Sequence, residues 1–363
     1  MRYNQLSLIV LIFSMLVGCY SGGKVESGML TIAKGKPGEI ILVMDSAKWE
    51  GNLGKEVRDV FMPVVEGLPR PESLFTIRFI DPRSLNSVLK GVKNMIFITT
   101  LDSHSQGSKI LNNYFTKESR QKIKNNPEVF LSTDQDVFAR GQEVMYLFGP
   151  NEATLINHLK TNKDKLQGHF NSIEGNRLMS SMYKAKEAKG IEEIIVREHQ
   201  CNIRIPFGYQ LVQQEKGFIW VRRIDTQVDR DIFIAYKPYE SEEELSKEGV
   251  ISFRDSITSN YIFDDPEKPD TYVTLQLYVP LIQKEVNFNN KFAIETRGLW
   301  RTNNNSMGGP FLSYSFVDEE LNRLYYIEGF VYSPGKSQRE FIREIGVILS
   351  TFQTKNELEN PSK

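Results

Sequence analysis

Lys184-Ala185-Lys186-Glu187-Ala188-Lys189, closed by Gly190, separates two textures of sequence. A charged run of small residues ending in glycine has no apolar stripe to bury, so it reads as a domain boundary. Upstream, short apolar runs alternate with helical spacing. Ile40-Ile41-Leu42-Val43-Met44 and Met95-Ile96-Phe97-Ile98 are continuous, as strands covered on both faces are. Leu53, Val57, Val60 and Phe61 recur at helical intervals, and so do Leu155, Leu159, Leu166 and Phe170, which predict one long helix. Downstream the runs shift towards alternation: Phe218-Ile219-Trp220-Val221, Ile232 to Tyr236, residues 272–279 and Leu324-Tyr325-Tyr326-Ile327. Turn-separated runs of this kind predict antiparallel pairing. A last helix follows, with Ser337 and Glu340 in capping-box spacing and Phe341, Ile342, Ile345, Ile348 and Leu349 on one face. The expected fold is α+β in two domains. A mixed α/β domain occupies residues 37–189, and an antiparallel sheet with a flanking C-terminal helix occupies residues 190–354.

The two ends read differently. Arg2 precedes an apolar run from Leu6 to Val17, too short to span a bilayer and of the length of a signal-peptide core. Its end, Leu16-Val17-Gly18-Cys19, resembles the lipobox of bacterial lipoproteins. That resemblance implies removal of residues 1–18, a diacylglycerol thioether on Cys19 and an acylated amine, typically with palmitate. Several chains on one residue anchor a protein firmly without a spanning helix. Tyr20 follows the cysteine, with no Asp and no acidic cluster, which favours the outer membrane and its periplasmic face. Residues 19–36 then form a lipidated tether, and residues 355–363 a loose polar tail.

Composition narrows the chemistry. The 45 basic and 46 acidic residues nearly cancel, so nothing electrostatic points to nucleic acid. With Cys19 lipidated, Cys201 has no partner for a disulfide and is expected to be buried packing. His104, His158, His169 and His199 are scattered, Asp225, Asp229 and Asp231 lack calcium-loop spacing, and Asp264-Asp265 sits in a Pro-rich loop. No metal and no cofactor is expected. No nucleophile elbow, phosphate loop or zinc motif is present, so no catalytic residue is assigned.

The densest stretch is Glu295 to Phe311, with Arg297, Trp300, Arg301, Gly308 and Gly309. It has two readings. As a recognition loop, Trp300 stacks, the arginines donate to an anion and the Gly-Gly turn exposes amides. As a hairpin, Trp300 is core and Glu295 pairs with Arg297. Arg254-Asp255 and Arg222-Arg223 are expected to form a buried polar cluster of structural purpose.

Several segments together resemble domain of unknown function family 4837, found in Bacteroidetes lipoproteins: Gly35-Lys36-Pro37-Gly38-Glu39, Trp49-Glu50-Gly51, Leu68-Pro69-Arg70-Pro71, Ile205-Pro206-Phe207-Gly208-Tyr209, Arg297-Gly298-Leu299-Trp300 and Met307-Gly308-Gly309-Pro310-Phe311. The resemblance implies location, not mechanism. The later half, with Pro-x-Gly-Tyr, a meander and a closing helix, is similar to PsbP/Mog1-like domains, mostly binding or assembly modules. The Bacteroidetes resemblance also implies a periplasmic O-glycosylation pattern at Asp45-Ser46-Ala47, making Ser46 a modification site, and at Asp255-Ser256-Ile257.

The function expected is a lipid-anchored, non-catalytic binding or assembly module facing the periplasm. Its partners are the membrane, through Cys19, and an envelope protein or glycan. Two alternatives stand beside it: an envelope hydrolase or transferase with a dispersed active site, and a structural spacer in an outer-membrane complex.

Overall fold

A computed structural model describes residues 30–263 and 270–360. The signal run, Cys19, most of the tether and Asp264-Asp265 lie outside the described residues. The chain forms two compact units.

The first unit runs to Pro63 and resumes from Ser73 to Asn171. It contains β1 (Glu39–Val43), α1 (Ser46–Glu50), α2 (Asn52–Phe61), β2 (Thr76–Ile80), α3 (Ser87–Lys90), β3 (Asn94–Thr100), α4 (Gln106–Asn112), α5 (Lys117–Asn125), β4 (Leu131–Gln135), β5 (Glu143–Gly149), α6 (Glu152–Thr161) and the start of α7 (Lys163–Met182). The sheet order is β2-β1-β3-β5-β4, parallel except for the edge strand β4. Ile40 and Leu42 pack on one face with Leu53 and Val57 of α2 and Leu155 and Leu159 of α6. Ile41 and Val43 pack on the other with Leu111 and Ile123. Burial on both faces is why β1 reads as an unbroken apolar run.

The second unit takes Val64–Glu72 and everything from Ser172. After α8 (Lys189–Ile194) and β6 (Cys201–Asn202) come β7 (Gln210–Glu215), β8 (Phe218–Ile224), β9 (Asp229–Pro238), α9 (Lys247–Tyr261), β10 (Val273–Leu275), β11 (Ile282–Phe288), β12 (Lys291–Thr302), β13 (Gly308–Asp318), β14 (Arg323–Tyr332), α10 (Arg339–Leu349), β15 (Gln353–Thr354) and α11 (Lys355–Glu359). The large sheet is antiparallel, in the order β10-β12-β13-β14-β9-β8-β7, with β11 also on β12. Ile342, Ile345, Ile348 and Leu349 of α10 cover one face, against Ile234, Tyr325 and Ile327. Val250, Phe253 and Ile257 of α9 cover the other, against Phe233, Tyr326 and Trp300. The α+β class and both sheet types agree with the pattern of apolar residues.

Several boundaries differ. The compact units divide at 171/172, inside α7, and residues 64–72 belong to the second unit, so the expected domains 37–189 and 190–354 are not the same divisions as these units. The last tether residues are part of the first unit, since Ile32 and Lys34 bridge to Arg140 and Val92 and Ala33 is buried. The single long helix is two, broken at Asn162, which caps α6. Residues 272–279 are not one strand. β10 and β11 share the same edge of β12, residues 276–281 loop out between them, and Leu277 and Tyr278 are exposed. The tail is not loose throughout, because Thr354 and Glu357 form a reciprocal capping box that starts α11. Ser337 and Glu340 do not form one. Gln338 is the cap of α10, and the distant Glu72 carboxylate accepts the amides of Gln338 (2.7 Å) and Arg339 (3.1 Å). Glu340 instead pairs with Arg339 and Arg343.

Candidate functional site

The Arg297–Gly309 stretch belongs to the hairpin of β12 and β13. β12 and β13 pair Trp300 opposite Gly309 and Arg301 opposite Gly308. Trp300 is buried, donates from Nε1 to the Val331 carbonyl (3.1 Å) and sits edge-on to Phe330 at 5.1 Å. A Cβ on Gly309 would lie 2.0 Å from the Val331 oxygen, so only glycine lets β14 approach. Arg297 donates to Glu295 (2.7 Å), whose other oxygen accepts from Tyr314 (2.9 Å). Arg301 donates to the Thr302 and Asn303 carbonyls and to Asn305, tying the turn. The recognition-loop reading is corrected at Trp300, because the indole that was to stack on a ligand is core; Arg297 and Arg301 each bond within the hairpin through one nitrogen.

The two arginine pairs do not form one cluster. Arg254 grips Glu328 with two bonds, Nε to Oε2 at 2.7 Å and Nη2 to Oε1 at 2.8 Å, and Tyr326 donates to the same carboxylate. All are fully buried under α9. Burial pulls the Arg254 guanidinium down, but the Glu328 charge outweighs it and holds it firmly protonated. Arg222 belongs elsewhere. Its Nε donates to Asp231 at 2.6 Å, and its guanidinium lies 4.8 Å over the Trp220 ring. Trp220 also donates to Asp231 (2.8 Å).

Burial pushes the Asp231 carboxyl up to about 6, against the pull of Arg222. A folded value above the unfolded one means the native state binds the proton more tightly. That contribution is complete below about pH 4 and is lost as pH rises through 6, a change of about 3 kcal/mol at most. Urea midpoints between pH 4 and 7 should therefore fall with rising pH through this window, with a matching step in Trp220 fluorescence. Asp231→Asn should flatten both; an unchanged slope in the variant rejects the assignment.

In the first unit, strand order reverses between β1 and β3, the usual place for ligands at the carboxyl ends of parallel strands. Here the polar groups bind one another. Asp45 accepts from the Ala47 amide and Ser105 Oγ, and Lys48 pairs with Glu152. Ser46 is half-buried and donates to Asp81 at 2.5 Å, so a sugar on Ser46 would have to break that bond. Ser256 is exposed on α9. Cys201 is fully buried, and burial pushes its thiol up to about 12, as expected of packing. Among the described residues no group of three His, Cys, Asp or Glu could hold a metal ion.

What the sequence did not single out is an apolar surface at the open edge of the large sheet. The turn before β7 places Gly208 at φ 96°, a conformation that favours glycine. Phe207 is thereby turned outward, 65% exposed, while Tyr209 is buried. Leu211, Val212 and Ile224 are exposed beside it, Ile224 at 70%. Val212 is the extra residue of a bulge between Leu211 and Gln213. Two shallow depressions share Gly208 and Gln210. One of about 650 Å³ is lined by Lys189, Ile191 and Phe207, and the other, about 320 Å³, by Leu211, Val212, Arg222 and Ile224. An adjacent Leu-Val pair followed by isolated Ile224 was the available signal; alternation alone could not say that, among the described residues, no strand lies beyond β7.

This edge lies in a stretch with known relatives. Residues 188–351 match the family described as Domain of unknown function (DUF4837). That match lies within the second unit. Residues 33–183 match a separate family, Domain of unknown function (DUF8532), so the earlier segments that resembled DUF4837, from Gly35 to Pro71, fall in the DUF8532 match instead. The two matches part across residues 184–187. A search of curated proteins finds no match. Among solved structures, the Ran-binding protein Mog1p of Saccharomyces cerevisiae aligns at 8% identity over 44% of this chain and 93% of its own, with a TM-score of 0.28. A mutant Mog1 protein aligns at 7% identity over 43% and 90%, with a TM-score of 0.26. Human StAR-related lipid transfer protein 5 aligns at 7% identity over 52% and 98%, with a TM-score of 0.18. At such scores none of these likenesses carries an argument about function.

Proposed function

We propose that this protein is a lipid-anchored module of the cell envelope, held to the outer membrane through Cys19 on the periplasmic side, that binds or assembles with an envelope partner and does not turn over a substrate. The anchor rests on the apolar run and Leu16-Val17-Gly18-Cys19. Binding rests on one observation: Phe207, Leu211, Val212 and Ile224 stand exposed together at a sheet edge within the DUF4837 match. Contiguous apolar surface at an unpaired edge costs solubility and mainly serves contact.

Mass spectrometry of the native N-terminus should find acylated Cys19; an unmodified protein beginning at Met1 overturns the anchor. Photo-cross-linking from position 207 in native membranes should trap a discrete partner, and Phe207→Ser with Ile224→Ser should reduce the yield about tenfold or more without changing the melting temperature. An undiminished yield in the folded double variant rejects this surface.

A further inference from the structure

The same edge says what kind of partner it fits, and this inference rests on the binding reading above. Among the described residues, β7 has a strand neighbour on one side only, β8, and its other side is unpaired. Edge strands that must stay alone carry lysine, proline or inward charge; β7 reads Gln-Leu-Val-Gln-Gln-Glu, with one charge at its far end. Beside it lies Arg222, only 22% exposed in its side chain, held by Asp231 through Nε and laid on Trp220. Its two Nη groups make no hydrogen bond to any described residue, and Arg222 lines the same depression as Leu211, Val212 and Ile224.

The charge balance selects the ligand chemistry. Asp231 neutralises Arg222 directly, and Asp229 also acts on it electrostatically. No surplus positive charge remains to hold an anion, yet the N–H donors without a protein partner are held in place by the Nε bond to Asp231 and are available to an acceptor. A neutral carbonyl oxygen meets that need, and apolar side chains meet the rim. A strand supplies both, with carbonyls along its edge and alternate side chains to one face. We propose that β7 receives an extended, uncharged aliphatic segment of a partner protein as an added strand, with Arg222 donating to one of its carbonyl oxygens.

The probe is the N-acetylated, C-amidated peptide Thr-Val-Thr-Val-Thr, titrated onto the protein with hydrogen exchange read at residues 210–215. Saturating peptide should slow exchange there about fivefold or more. Val212→Pro, tolerated at a bulge, should abolish that protection while the melting temperature holds. Arg222→Gln should weaken the peptide about tenfold, as loss of a charge-assisted donor does. Unchanged exchange at saturating peptide overturns the proposal, and so does peptide binding that Val212→Pro leaves intact. Concentration-dependent self-association that Val212→Pro removes would assign the edge to a second copy instead, and protection by phosphatidylethanolamine vesicles but not by peptide would assign it to lipid; either result overturns it. A cross-linked partner at Phe207 without β7 protection would sink strand addition alone, leaving the binding reading in place.

Discussion

Arg254→Ala should lower the stability of the second unit by about 3–5 kcal/mol, because it strands the Glu328 carboxylate in a dry interior. Glu328 is 0% exposed and takes two bonds from Arg254 and one from Tyr326. Without the guanidinium, the carboxylate must stay ionised in an apolar setting or take up a proton. Arg254 is also packed over the Phe311 ring at 4.5 Å, so alanine removes packing as well as charge. The paired replacement Arg254→Met with Glu328→Leu should recover much of the loss, since buried pairs are costly to break and cheap to replace. Urea denaturation of the two single variants and the double variant measures this. A single variant within about 1 kcal/mol of the parent would show that solvent reaches the pair.

Trp300→Ala should cost about 3–5 kcal/mol, the range for emptying a buried aromatic site. The indole is 2% exposed, its N–H is bonded to the Val331 carbonyl, and its ring abuts Phe330 and Tyr332. Truncation leaves a cavity and a carbonyl without its donor. Gly309→Ala should be as harmful by the opposite route, a methyl driven onto the Val331 oxygen. This separates the two readings of the Arg297–Gly309 stretch. A ligand platform would lose binding and keep its melting temperature; a core residue loses stability, and cross-linking from Phe207 survives wherever the variant is folded. A stable Trp300→Ala variant would restore the recognition-loop reading.

Where apolar residues are covered on both sides, the reading was direct. The run Ile40 to Val43 lies in β1, and the period of Phe341 to Leu349 is the buried face of α10. Where a group's partner is distant in sequence, it was not. The Ser337/Glu340 pattern had the right spacing, yet Glu72 takes the amides of α10. Arg222-Arg223 and Arg254-Asp255 looked like one cluster, yet Asp231 and Glu328 claim one arginine each from separate strands. Trp300 and its arginines looked like a surface because sequence shows composition, not which atoms are already bonded.

The periodicity of apolar residues was enough to set the class of each half, because burial on one or two faces imposes its own spacing. Only the tertiary structure decided which polar groups were spent and which were left over. Trp300 spends its N–H inside the core, on the Val331 carbonyl, while Arg222 keeps two donors free beside a strand that, among the described residues, has no neighbour on its outer side. The physical reason is that a hydrogen bond is consumed by whichever acceptor the fold brings within about 3 Å, and strand order, which no local pattern encodes, determines both that neighbour and which edge has none.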